Sequence, residues 1–110
     1  LLLNMRSHHG KNRRAVAVST DRGDTWGETT FDTALIEPTC QGSLIRAAGG
    51  VFLFSNPAGT KRENLTVRLS RDGGQTWPAA RVLYPRAAAY SGLVSLPDNR
   101  AGCLYEKDGY

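Results

Sequence analysis

The sequence is poor in several of the things that mark common protein classes. It has two cysteines, Cys40 and Cys103, 63 residues apart and without C-x-x-C spacing. That argues against a metal or dithiol redox motif and fits small buried apolar residues, while a disulfide between them stays open. No apolar run approaches the roughly 20 residues of a membrane-spanning helix. No basic start leads into an apolar stretch and a small-residue cleavage site, the pattern of a secretion signal. No long stretch carries apolar residues at 3.6 spacing, so amphipathic helices are not expected. Lysine is scarce, three against eleven arginines. The arginines are dispersed apart from Arg13-Arg14, and no aromatic residues interleave with them, which argues against a nucleic-acid partner.

What is there is ordinary globular composition. The 110 residues carry a net charge of +4, with 40% hydrophobic and 22% charged residues, too apolar for a disordered chain and short enough for at most one small domain. The chain opens on Leu1-Leu2-Leu3-Asn4, which reads as the middle of a strand, and stops at Lys107-Asp108-Gly109-Tyr110 without a closing element. Both ends therefore read as cuts in a larger fold.

An octapeptide pattern, S-x-D-x-G-x-T-W, occurs twice, at residues 19–26 and 70–77, an offset of 51 residues. Its chemistry is that of a turn. The aspartate can accept hydrogen bonds from following backbone N–H groups, and the glycine supplies a positive φ. The serine and threonine hydroxyls tie down the loop, and the tryptophan is expected to fold back as an apolar plug. Its single carboxylate is thereby committed to the backbone. Alternating or β-branched segments at residues 1–5, 14–20, 43–47, 51–55, 65–70, 82–84, 91–96 and 101–106 read as strands, the last two joined by Pro97-Asp98-Asn99-Arg100. The chain is thus expected to be all-β. Eight strands at four per blade, with a 51-residue period, give about two blades of a β-propeller.

The two octapeptides resemble the Asp boxes of the sialidases (neuraminidases), and further segments resemble the same family in the same order. These are Leu3-Asn4-Met5-Arg6-Ser7-His8 with Arg13-Arg14-Ala15-Val16-Ala17-Val18, then Cys40-Gln41-Gly42-Ser43, then Phe54-Ser55-Asn56-Pro57 with Lys61-Arg62-Glu63-Asn64, and finally Ala89-Tyr90-Ser91 with Leu104-Tyr105-Glu106. The resemblance implies a bacterial-type exo-α-sialidase with a six-bladed propeller, of which residues 1–110 would be a partial, C-terminal piece. It implies that Arg14 and Arg62 bind the substrate carboxylate and that Gln41 also binds substrate. Tyr90 would be the nucleophile, and Glu106 would orient the first arginine of a triad. That arginine, the acid Asp and the base Glu would lie outside this chain, so the isolated 110 residues are expected to be inactive or nearly so. No metal or organic cofactor is implied. The partners would be sialylated glycans, glycoproteins or glycolipids, with the full-length protein secreted or periplasmic. Gly92 departs from the Asp that the family often has after A-Y-S.

The residue types fit this chemistry. A sialic acid carries a carboxylate on its anomeric carbon, and arginine offers paired donors matched to it. A carboxylate nucleophile would be repelled there, whereas a neutral phenol is not, and sialidases use Tyr. Tyr84, Tyr105 and Tyr110 lack the Ala-x-Ser context and read as structural. Glu28, Glu37 and Glu63 are not placed to act as the base, and His8-His9 reads as a solvated turn rather than a metal site. The alternative reading is a non-catalytic Asp-box module that binds carbohydrate or protein.

Overall fold

The computed structural model describes residues 1–109; Tyr110 lies outside the described residues. The chain is all-β. Strands β1 (Leu2–Met5), β2 (Arg13–Val18) and β3 (Thr30–Ile36) form one antiparallel sheet in that order. Strands β4 (Ser43–Arg46), β5 (Phe52–Pro57), β6 (Glu63–Ser70), β7 (Ala79–Leu96) and β8 (Arg100–Lys107) follow as a five-stranded meander. A 3-10 turn, Ala48–Gly50, links β4 to β5.

Two strands differ from the sequence expectation. β3 is absent from the expected strands, because Asp32 and Thr33 interrupt its alternation. The Asp32 carboxylate accepts the N–H groups of Ala34 (2.8 Å) and Leu35 (3.3 Å), closing a local turn that shifts the β2–β3 register. β7 joins two segments that read as separate. Its first half pairs with β6 and its second half with β8. Pro85, which has no N–H to donate, falls between the Tyr84 and Ala87 pairings, where the ladder is already irregular. At about 3.3 Å per residue an unbent 18-residue strand would run about 59 Å. The largest principal extent of the molecule is 41 Å, so β7 bends.

Both octapeptides form the same turn. Ser19 Oγ donates to Asp21 Oδ1 (2.7 Å) and accepts Gly23 N–H (2.7 Å), as Ser70 Oγ does with Asp72 Oδ1 (2.7 Å) and Gly74 N–H (2.8 Å). Thr25 N–H and Thr76 N–H each reach the aspartate at 2.9 Å, and both threonine hydroxyls donate to its other oxygen. The carboxylates are thus committed to the turn, as the sequence implies. The hydroxyl bonds from Thr25 and Thr76 lead in holding them well below the usual carboxylate range.

The tryptophans differ. Trp77 is 9% exposed, tilts against Phe54 at 6.0 Å and donates its indole N–H to Asp32 at 3.0 Å. Trp26 stays 42% exposed and is no plug. The core is accordingly Leu35, Phe54 and Trp77, backed by Leu44 and Phe52, and it joins the two sheets. Asn56, fully buried, donates to Ile36 O at 2.8 Å and so ties the ends of β3 and β5 together.

Candidate active site

The antiparallel order sends all the sequence-predicted site residues to one end of the sheets, opposite the two octapeptide turns. Arg6 follows β1, Arg14 is the second residue of β2, Gln41 precedes β4, Arg62 precedes β6, and Glu106 lies near the end of β8. Tyr90 lies in β7 near the point where its pairing passes from β6 to β8. A cavity of about 370 Å³ at this end is lined by Asn4, Arg6, Arg14, Gln41, Gly42 and Tyr90. An adjoining one of about 490 Å³ is lined by Gln41, Tyr90, Ser91, Gly92, Leu104, Tyr105 and Glu106. A larger, mainly apolar crevice of about 620 Å³ lies at the octapeptide end, among Leu1, Leu2, Leu44, Phe52 and Gly73. It brings together none of the residues singled out for chemistry.

Tyr90 is 42% exposed, and the Arg62 guanidinium lies 5.7 Å from the centre of its ring. Its backbone is held from several sides. Tyr90 N–H donates to Glu106 Oε2 at 3.1 Å, and Ala88 N–H donates to Arg62 O at 2.9 Å. Leu93 N–H donates to Ser43 Oγ at 3.0 Å. Gln41 is joined to the Ser91 backbone by two hydrogen bonds, and Ser91 Oγ meets Ser55 Oγ at 2.8 Å. The run Gln41-Gly42-Ser43 is therefore a clamp on the strand that carries Tyr90. Gly42 is required by space, since a Cβ there would lie 2.8 Å from the Phe54 ring.

Arg14 lines the cavity, yet it is buried and its guanidinium is engaged. Nε donates to Asn4 Oδ1 at 2.6 Å, and Nη1 donates to Cys40 O at 2.7 Å and Glu37 Oε2 at 3.2 Å. Burial pushes its pKa below the ordinary arginine value, against the opposing pull of Glu37. Arg6, which the sequence reading passed over, is exposed and lines the same cavity. Strand alternation carries the signal for it, because Leu2, Asn4 and Arg6 share one face. By the same period, adjacent Arg13 and Arg14 point to opposite faces.

Cys40 is a buried free thiol, raised above its ordinary pKa by burial and lowered in part by the charges of Arg62 and Arg6. Cys103 is also free. Tyr84 hydrogen-bonds Asp108, and its ring lies 6.1 Å from that of Tyr105. His8 and His9 are exposed, and the His9 ring packs edge-on against Phe31. No helix among the described residues is long and apolar enough to cross a membrane.

A family model described as a BNR repeat-like domain matches residues 1–105. The chain belongs to this BNR repeat-like family. Its Asp-box repeats accord with the resemblance to bacterial sialidases read from the motifs. A sialidase of Micromonospora viridifaciens is 46% identical over 116 residues, which cover 96% of this chain and 18% of that protein. A sialidase of Bacteroides fragilis is 39% identical over 118 residues, covering 96% and 22%. The solved structure of a Hadza microbial sialidase superposes with a TM-score of 0.83 at 39% identity, over 96% of this chain and 22% of that one. The all-β fold of this BNR repeat-like chain thus matches part of a sialidase β-propeller. The chain spans about a fifth of the length of the curated relatives it matches.

Proposed function

We propose that the chain carries part of the sialic-acid site of an exo-sialidase, in which Tyr90 is the nucleophile of a retaining hydrolysis of terminal sialic acid from glycoconjugates. The observation that carries this reading is the gathering of Arg6, Arg62 and Tyr90 at one end of the sheets, with the Arg62 guanidinium 5.7 Å from the Tyr90 ring centre. Positive charge around a phenol is what an anionic sugar attacked by that phenol requires. Residues 1–110 form a partial sialidase propeller in this reading.

Arg6 and Arg62 receive the substrate carboxylate. Arg14, expected in that role from the motif, supports the site from beneath, because its donors are engaged by Asn4, Cys40 and Glu37. Gln41 contributes through the strand it clamps. Tyr90 Oη bonds to the anomeric carbon as the bond to the leaving oxygen breaks. The phenolic proton passes to a base, and the leaving oxygen takes a proton from an acid, both supplied from outside these residues. Water then cleaves the glycosyl–tyrosine bond and the phenol is restored. Glu106 holds the Tyr90 backbone and, in the complete site, orients a further arginine.

Titration of the chain with N-acetylneuraminic acid, followed residue by residue by NMR, tests the binding part. The amides of Arg6, Arg62 and Tyr90 are expected to shift, and Arg62→Ala to remove the response. Shifts confined to the Asp-box end, or none at all, would refute it. The chain alone is expected to turn over a fluorogenic sialoside slowly or not at all, and rapid turnover would contradict the division of labour proposed here.

A further inference from the structure

Two opposite charges lie buried together under the cavity, and the proposed chemistry uses neither. The Arg14 side chain is 3% exposed and that of Glu37 1%, with Nη1 and Oε2 3.2 Å apart. A buried ion pair is weak evidence for stability, because an apolar pair of similar volume serves as well. The partners of this pair indicate another use.

Glu37 Oε1 accepts Ser7 N–H at 2.8 Å, and Oε2 accepts Cys40 N–H at 3.0 Å. Arg14 donates to Cys40 O and to both Asn4 Oδ1 and Asn4 O. Ser7 follows Arg6, and Cys40 precedes Gln41. Gln41 in turn holds Ser91, the residue after Tyr90, at 2.9 Å in both directions. Every hydrogen bond named here ends on a residue next to one that lines the cavity, or on Asn4, which lines it.

We propose that Arg14 and Glu37 are a positioning pair that sets the spacing of Arg6, Gln41 and, through Gln41, Tyr90. The proposal rests on the sialic-acid reading for the meaning of that spacing, and on the hydrogen bonds alone for its existence. Neither residue touches the substrate.

Hydrogen exchange of the chain separates the two. In Glu37→Gln the amides of Ser7, Cys40 and Ser91 are expected to exchange about tenfold faster, while those of the β5–β6 ladder keep their wild-type rates. A merely structural role would speed both groups together, and unchanged rates at Ser91 would likewise overturn the proposal. N-acetylneuraminic acid binding, measured on the same samples, is expected to weaken in parallel. If Ser91 responds but the wild-type chain does not bind the sugar, the positioning role stands and the ligand reading falls. Should Glu37→Gln not fold, the double variant Arg14→Met with Glu37→Leu replaces the pair by apolar volume. Fast Ser91 exchange in a folded double variant supports the proposal, and wild-type exchange there refutes it.

Discussion

Gln41 and Ser91, 50 residues apart in the chain, exchange two hydrogen bonds of 2.9 Å: Gln41 Nε2 donates to Ser91 O, and Ser91 N–H donates to Gln41 Oε1. A side-chain amide here does what a neighbouring backbone would do in a ladder. The second half of β7 is held in this way from β4's leading residues, with Ser43 repeating the device at Leu93. The strand that carries Tyr90 is therefore held by Gln41, which the motif resemblance marks for substrate binding, and by Ser43.

Replacing Tyr90 separates chemistry from folding. Tyr90→Phe is expected to change stability by no more than about 0.5 kcal/mol, because the side chain is 42% exposed. In the complete protein it is expected to lower kcat by at least about a hundredfold. Denaturant unfolding and steady-state hydrolysis check the two halves, and wild-type turnover would remove the nucleophile assignment.

The two Asp-box tryptophans are expected to respond unequally. Trp77→Ala opens the core beside Phe54 and is expected to cost about 3–5 kcal/mol. Trp26→Ala is expected to cost less than about 1 kcal/mol, since that ring remains 42% exposed. Urea melts of the two variants compare them directly.

Gly42→Ala is expected to destabilise by about 1–3 kcal/mol. The new methyl would lie 2.8 Å from the Phe54 ring and 3.0 Å from Ser55 O, and Phe54 is too buried to retreat freely. Adding Phe54→Leu is expected to recover part of the Gly42→Ala loss, measured as coupling in a double-mutant cycle.

The Asp boxes give the chain an acid limit. Asp21 and Asp72 have folded-state pKa values below their ordinary value of 3.8, chiefly through the Thr25 and Thr76 hydroxyls. A depressed carboxylate pKa stabilises the fold above the unfolded pKa, and that contribution is lost as pH falls toward the folded one. Melting temperature is therefore expected to drop progressively below about pH 4. Asp21→Asn and Asp72→Asn should each flatten the decline, and a wild-type slope in both variants would contradict the assignment.

Much of this architecture was legible in the residues. The repeated turn announced its own hydrogen bonds, because serine, aspartate, glycine and threonine at fixed offsets leave the backbone few alternatives. β3 was not legible, because Asp32 closes a turn inside the strand and breaks the alternation by which strands are recognised. The unequal burial of Trp26 and Trp77 depends on which sheet lies over each turn, and the shared octapeptide pattern carries no such information. The engagement of Arg14 was hidden for a similar reason. Its partner Glu37 is 23 residues away, and only the fold sets it beneath the cavity. Arg6 could have been found from the two-residue period of β1.

The bend in β7 divides the tolerance of this chain to change in length. Beyond it, the strand runs to the Asp98-Asn99 turn, where both residues have positive φ and the pairing with β8 simply ends. An added or lost pair of residues at that tip would lengthen or shorten a hairpin and leave Tyr90 where it is. Between Pro85 and Tyr90 the arithmetic differs. One residue inserted or removed there would reverse which face of the strand carries the phenol, while leaving the sequence of the motif intact. Among natural variants of this segment, gaps should therefore gather at the hairpin tip and be absent from the stretch that runs from Pro85 to Tyr90.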